Sequence, residues 1–229
     1  MAKPPPARAR AQLLASLTLL LVPLATGVSL RAGAPHPLQV LDDTWLRWMG
    51  GPHKGVAATL ASALNWFGGP YGALVPLAAT ALLLALRRPR QALFVFTATL
   101  LTHLAVQALK HVVDRPRPAH PLVTVDHGSF PSGHAATMAM TVVAITALLP
   151  AAARRLWYPA ATLLTLAMMW SRTWLHAHWL SDTMAGAVAG TGVTLLVWWA
   201  FGPLRRPADP LPGTAAQAPG RRASIAGGA

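Results

Sequence analysis

Long apolar stretches broken by short polar clusters set the rhythm of this chain. Six stretches, about 11–30, 70–86, 91–109, 135–150, 156–170 and 183–202, approach the ~20 mostly apolar residues that a spanning helix needs. They predict an all-α integral membrane protein, a bundle of about six transmembrane helices. Between the first two stretches, residues 31–69 are too polar to span throughout. Leu41, Trp45, Leu46, Trp48 and Met49 line one side of a short helix there, and 55–67 makes a second amphipathic piece ending at Trp66-Phe67-Gly68-Gly69-Pro70. Such helices lie in the membrane interface, where Trp is favoured. A lid packed on the bundle and a lipid-facing entrance are equally good readings of them. Arg87-Arg88-Pro89-Arg90 and Ala151 to Arg155 form tight turns. Residues 1–10 and 203–229, rich in Pro, Ala and Arg, are expected to be disordered cytoplasmic arms on one domain at 11–202.

Composition agrees with the pattern. Of 229 residues, 54% are hydrophobic and 11% charged, too apolar for an ordinary soluble domain. Cysteine is absent, which excludes disulfides and thiolate chemistry. The formal charge of +13 suggests nucleic-acid binding until its placement is read. With a cytoplasmic N-terminus and six spans, Lys3, Arg8, Arg10, Arg87, Arg88, Arg90, Arg154, Arg155, Arg205, Arg206, Arg221 and Arg222 all fall inside. That is the positive-inside rule, so the basicity reports topology and no nucleic-acid partner is expected. Both termini are then cytoplasmic, and segments 110–134 and 171–182 emerge together on the outer face of the cell membrane. The first stretch also resembles a signal peptide, with Ala32-Gly33-Ala34 as a small-residue site. Its length, and Pro35 directly after, favour a retained anchor.

Three polar clusters carry the candidate chemistry. Lys110 ends a span, and Pro116 and Pro118 stop the helix and stiffen the segment bearing Arg115 and Arg117. The ammonium of Lys110 and the planar fork of Arg117 suit phosphate oxygens; His111 and Arg115 are neighbours without an assigned task. In Pro131-Ser132-Gly133-His134, Ser132 is a natural helix N-cap and Gly133 lets backbone amides approach an anion closely. His134 is placed to give a proton to a leaving oxygen. Arg172 adds a third cation, followed by His178 and, four residues on, Asp182. On a helix that pair shares a face, and a carboxylate accepting from one ring nitrogen makes the other the better nucleophile. His176 competes with His178, and Asp182 is equally a cap for the last span.

Read together, the clusters follow K-x6-R-P, P-S-G-H and S-R-x5-H-x3-D, in order. This resembles the type 2 phosphatidic acid phosphatase (PAP2) superfamily, which shares its phosphate site with vanadium-dependent haloperoxidases. The resemblance covers roughly 41–202 and is complete at the motif positions. It implies a lipid phosphatase in which His178 forms a phosphohistidine, Asp182 orients its imidazole, and His134 protonates the departing oxygen. Lys110, Arg117, Arg172, Ser132 and Gly133 bind the phosphoryl group. The substrate is a lipid phosphate or lipid diphosphate, the other partners are membrane lipids, and no obligatory protein partner is implied.

No cofactor is expected. Six Asp and no Glu are too few for an all-carboxylate two-metal site. His111, His120, His127, His134, His176 and His178 all face outward, but no recognised zinc-ligand spacing joins them, so no metal is expected. A haloperoxidase-like enzyme and a non-catalytic lipid-phosphate binding or transport protein are the alternatives. His103, inside the third span, is read as buried and hydrogen-bonded to a neighbouring helix.

Overall fold

The computed structural model of the protein describes residues 7–31, 37–50, 53–68, 71–202 and 204. Residues 1–6, 203 and 205–229 lie outside these, as does Ala32-Gly33-Ala34, so the expectations for the outer arms and the cleavage site fall largely outside the described residues. The described residues form eight helices: α1 (Ala7–Arg31), α2 (Pro37–Trp48), α3 (Gly55–Gly68), α4 (Leu74–Ala85), α5 (Pro89–Val113), α6 (Gly133–Leu148), α7 (Ala151–Trp174) and α8 (Leu180–Phe201). Helix α1 begins at Ala7, so residues 7–10, expected in the disordered arm, are helical. Alternating Ala and Arg there are strong helix formers.

Every apolar stretch contains a helix, and the outer region folds into α2 and α3. By length and apolarity, α1, α5 and α8 are able to cross a membrane unaided. Helices α4 and α6 are apolar but have only 12 and 16 residues. At 1.5 Å per residue, α4 rises ~18 Å against a hydrocarbon core of ~30 Å. Helix α7 is long, but Arg154 and Arg155 sit near its start and Pro159 inside it.

Helix ends are set by local chemistry. Pro89 opens α5 in its first turn, where its missing N–H costs nothing. At the other end Asp114 takes a left-handed conformation (φ 46°), and Pro116 and Pro118 follow. The Ser132 hydroxyl accepts from the Ala135 N–H at 3.5 Å and caps α6. Asp182 accepts the Trp179 N–H at 2.9 Å and caps α8.

Helix α8 is the hub, with α6 and α1 packed against it. A Cβ at Gly186 would lie 2.3 Å from the Ser132 carbonyl oxygen, and one at Gly190 2.2 Å from that of Ala136. The two backbones therefore touch, as small residues four apart allow between membrane helices. Phe94, Val95 and Ala98 of α5 close the core on Met140, Ala144, Val193 and Val197. Outward, Leu14, Leu21, Leu93, Leu104, Leu156 and Leu163 are exposed, the surface of a protein whose solvent is lipid. His103 lies among them rather than buried, because this side of α5 carries no neighbour among the described residues.

The bundle has two chemically different ends. Arg8, Arg10, Arg87, Arg88, Arg90, Arg154 and Arg155 gather at one, where Arg90 donates to the Phe201 carbonyl and Gln12 to that of Leu195. At the other, Arg31 donates to the Val112 carbonyl, and α2 and α3 cover the C-termini of α5 and α7 and the N-termini of α6 and α8.

Candidate active site

All eight residues singled out in the sequence lie at the end covered by α2 and α3. His178 sits in the turn between α7 and α8, almost wholly buried. Its Nδ1 is 2.7 Å from the Ser129 carbonyl oxygen. A carbonyl only accepts, so Nδ1 carries the hydrogen and Nε2 the free lone pair. Burial, reinforced by the charges of Arg172, Arg117 and Lys110, pushes the pKa of His178 well below the ordinary imidazole value. The ring is thus neutral and presents a nucleophilic nitrogen. Nη1 of Arg117 lies 3.3 Å from that nitrogen and also donates to the Ala177 carbonyl.

Asp182 does not do what the spacing suggests. Its Oδ2 is 3.7 Å from Nδ1 of His178, beyond hydrogen-bond reach. The i, i+4 argument requires a continuous helix, but α8 starts only at Leu180, after His178. The imidazole is oriented by the Ser129 carbonyl instead. Asp182 caps α8 and accepts from Arg115 at 2.7 Å.

The three cations surround this histidine. Lys110, in the last turn of α5, is 4% exposed, and Arg172, in the last turn of α7, 2%. Nζ of Lys110 donates to both Asp126 carboxylate oxygens at 2.9 Å and contacts the carbonyls of His127 and Gly128 at 3.3 Å. Arg117 shares Asp126 with it, through a side-chain ion pair and an Nε bond to the Asp126 carbonyl. Arg172 bonds the Asn65 side-chain oxygen of α3, while its buried Nε–H has no partner among the described residues. A buried guanidinium N–H left unmatched is costly unless a ligand completes it.

Ser132 is fully buried, its N–H given to the Asp182 carbonyl at 3.0 Å. A Cβ on Gly133 would meet only Val106, at an ordinary 3.6 Å, so packing does not demand glycine. What glycine provides is uncovered backbone. His134, in the first turn of α6, rests on the last turn of α3. Its Nε2 is 3.2 Å from the Asn65 carbonyl oxygen and therefore carries a hydrogen. Gly68 makes the fit possible, since a Cβ there would stand 2.2 Å from the ring.

The competing histidines are elsewhere. His176, with φ 54°, turns its ring to His53, centroids 5.1 Å apart, and His111 stacks on His127 at 5.3 Å. Four participants escape sequence reasoning, Asn65, Asp126, Ser129 and Asp42, and a fifth, Arg115, is visible to it without a role. Arg115, without a task in the sequence, is the centre of a buried network. Its two terminal nitrogens bond Asp182 and Ser181 on one side, and Asp42 and Gln39 of α2 on the other, at 2.7–2.8 Å. Asp42, fully buried, also accepts the Ser181 N–H at 2.8 Å. A carboxylate on the polar side of an amphipathic helix gives no sign of a partner 73 residues away.

The chain matches the PAP2 superfamily over residues 91–206. It is 35% identical over 133 residues to the decaprenylphosphoryl-5-phosphoribose phosphatase of Mycolicibacterium smegmatis, 56% of this chain and 70% of that protein. In fold it is similar to the crystal structure of a transmembrane PAP2 type phosphatidylglycerolphosphate phosphatase from Bacillus subtilis. The TM-score is 0.68 at 21% identity, covering 80% of this chain and 93% of the other.

Proposed function

The chain belongs to the PAP2 superfamily and is a membrane phosphatase, and from that premise we propose that it cleaves a lipid phosphate or lipid diphosphate through a phosphohistidine on His178. One observation carries this reading: a buried, neutral imidazole whose free Nε2 faces a ring of three cations. Lys110, Arg117 and Arg172, with the Gly133 backbone and the Ser132 cap, hold the phosphoryl oxygens, and the open Nε–H of Arg172 is completed by one of them. Nε2 of His178 forms a bond to phosphorus as the phosphorus–oxygen bond to the lipid breaks. His134 enters this step as the imidazolium, its extra proton brought in with the bound phosphate, and the departing oxygen takes the Nε2 hydrogen that faces Asn65, leaving the neutral ring. Water, giving its proton back to His134, then cleaves the N–P bond and releases phosphate. Asp182 and Arg115 are positioning residues that fix the start of α8 and with it the His178 turn. Fixed cations supply the charge stabilisation phosphoryl transfer needs, so the scheme runs without a metal.

Among lipid phosphates, the polyprenyl type is supported first by the mycolicibacterial relative, ahead of phosphatidic acid and phosphatidylglycerol phosphate. The arginines at the opposite end support an extracytoplasmic site with both termini cytoplasmic. The test is phosphate release by purified protein in detergent, over a panel of lipid phosphates and diphosphates with excess chelator. Turnover should survive chelator, fall by roughly three orders of magnitude or more in His178→Ala and Arg172→Ala, and largely persist in His176→Ala. Full activity in His178→Ala, or loss in His176→Ala alone, would sink the assignment.

A further inference from the structure

Two of the three site cations already hold an anion that the protein carries itself. Asp126 belongs to the loop joining α5 and α6, and its side chain is 63% exposed, against 5% for Lys110 and 10% for Arg117. A solvent-facing carboxylate thus reaches inward onto two buried cations. Both its oxygens lie 2.9 Å from Nζ of Lys110, and one also pairs with Arg117. Partial burial opposes its charge, but Lys110 and Arg117 outweigh that and hold the carboxyl below the usual carboxylate range, so it is a full anion at neutral pH. Among the described residues, the carboxylate's remaining hydrogen bond is to its own backbone N–H. Gly128, at φ +61°, turns the chain at the Lys110 carbonyl, and Ser129 is anchored by its own bonds to Arg115 and Pro116.

Resting on the phosphate-site reading above, we propose that Asp126 is a tethered competitor, a monoanion that an incoming group must displace from Lys110 and Arg117. The consequence is an affinity threshold that a group clears by its charge. A terminal phosphate carries about −1.5 to −2 at pH 7, whereas the phosphodiester of an ordinary membrane lipid carries −1. Replacing the carboxylate with a diester exchanges one unit charge for another and gains nothing from the cations. Replacing it with a terminal phosphate gains close to a second charge interaction in a poorly screened site. A phosphatase at headgroup level meets phosphodiesters in vast excess, and Asp126 keeps them from occupying it.

The experiment compares wild type with Asp126→Asn, Asp126→Ala and Asp126→Glu, all verified by melting temperature. Phosphate release from a short-chain phosphatidic acid in detergent is inhibited by orthophosphate and, separately, by short-chain phosphatidylglycerol, a monoanionic diester. In the Asn and Ala variants both inhibition constants should fall at least about tenfold, because the displacement cost that Asp126 imposes is common to both inhibitors, and the diester should become an effective inhibitor. Asp126→Glu should keep the wild-type constants. Unchanged or raised constants in the neutral variants would overturn the proposal and leave Asp126 a brace for its cations. Wild-type protein that neither releases phosphate nor binds orthophosphate would overturn the underlying site reading as well, an outcome distinct from an active enzyme with unmoved constants.

Discussion

The Ser129 carbonyl decides the state of His178: it claims the hydrogen on Nδ1 and leaves Nε2 a lone pair, which faces Arg117. Burial and three cations then keep that ring uncharged. In an unfolded chain the same imidazole titrates near pH ~6.5. Between that value and the lower folded one the unfolded state binds more protons, so stability falls as pH drops below ~6.5. Melting temperatures from pH 7 to 5 should therefore fall more steeply for wild type than for His178→Ala, and the acidic limb of kcat/KM should lie well below 6.5. Parallel melting curves would show that His178 is not held neutral. At this scale the motif residues are legible because ionisable groups beside apolar stretches are conspicuous. Asp126, Asn65 and Ser129 are not, since a loop carboxylate, a helix amide and a main-chain carbonyl have no signature until the fold brings them to the cations.

Helices were readable from apolar runs, whereas their lengths were not. Hydropathy spreads α4 over 70–86, but turn geometry confines it to Leu74–Ala85. Ser132 starts α6 two residues earlier than the apolar run implies, and Pro150 bounds its end. Contact between α6 and α8 is likewise hidden in a run of small residues that looks merely permissive. It has a sharp consequence: Gly190→Leu places a side chain where the Ala136 carbonyl stands. Overpacking of this kind costs about 1–3 kcal/mol, so the melting temperature in detergent should drop by several degrees, while Met184→Leu, on an exposed position of the same helix, should not move it. An unshifted Gly190→Leu would mean that α6 and α8 are further apart than described.

Across the whole molecule, positive charge collects at one end and the candidate site at the other, a division the loop arginines announce in sequence. A reporter fused after Ala229 should accordingly report from the cytoplasm, and an impermeant phosphate substrate analogue should reach the site in intact cells; an external reporter would reverse the proposed orientation. The network around Arg115 bears on how the chain comes to be made. Its partners, Asp42 and Asp182, stand 140 positions apart in the order of synthesis, one ahead of five helices and the other at the start of the last. Until α8 has left the ribosome and inserted, Arg115 and Asp42 lack Asp182 and Ser181, and the His178 turn lacks the capped helix that closes it. On the proposed mechanism a nascent chain therefore lacks an assembled site for almost the whole of its translation, and a product cut short before Asp182 has helices in the membrane but no finished centre.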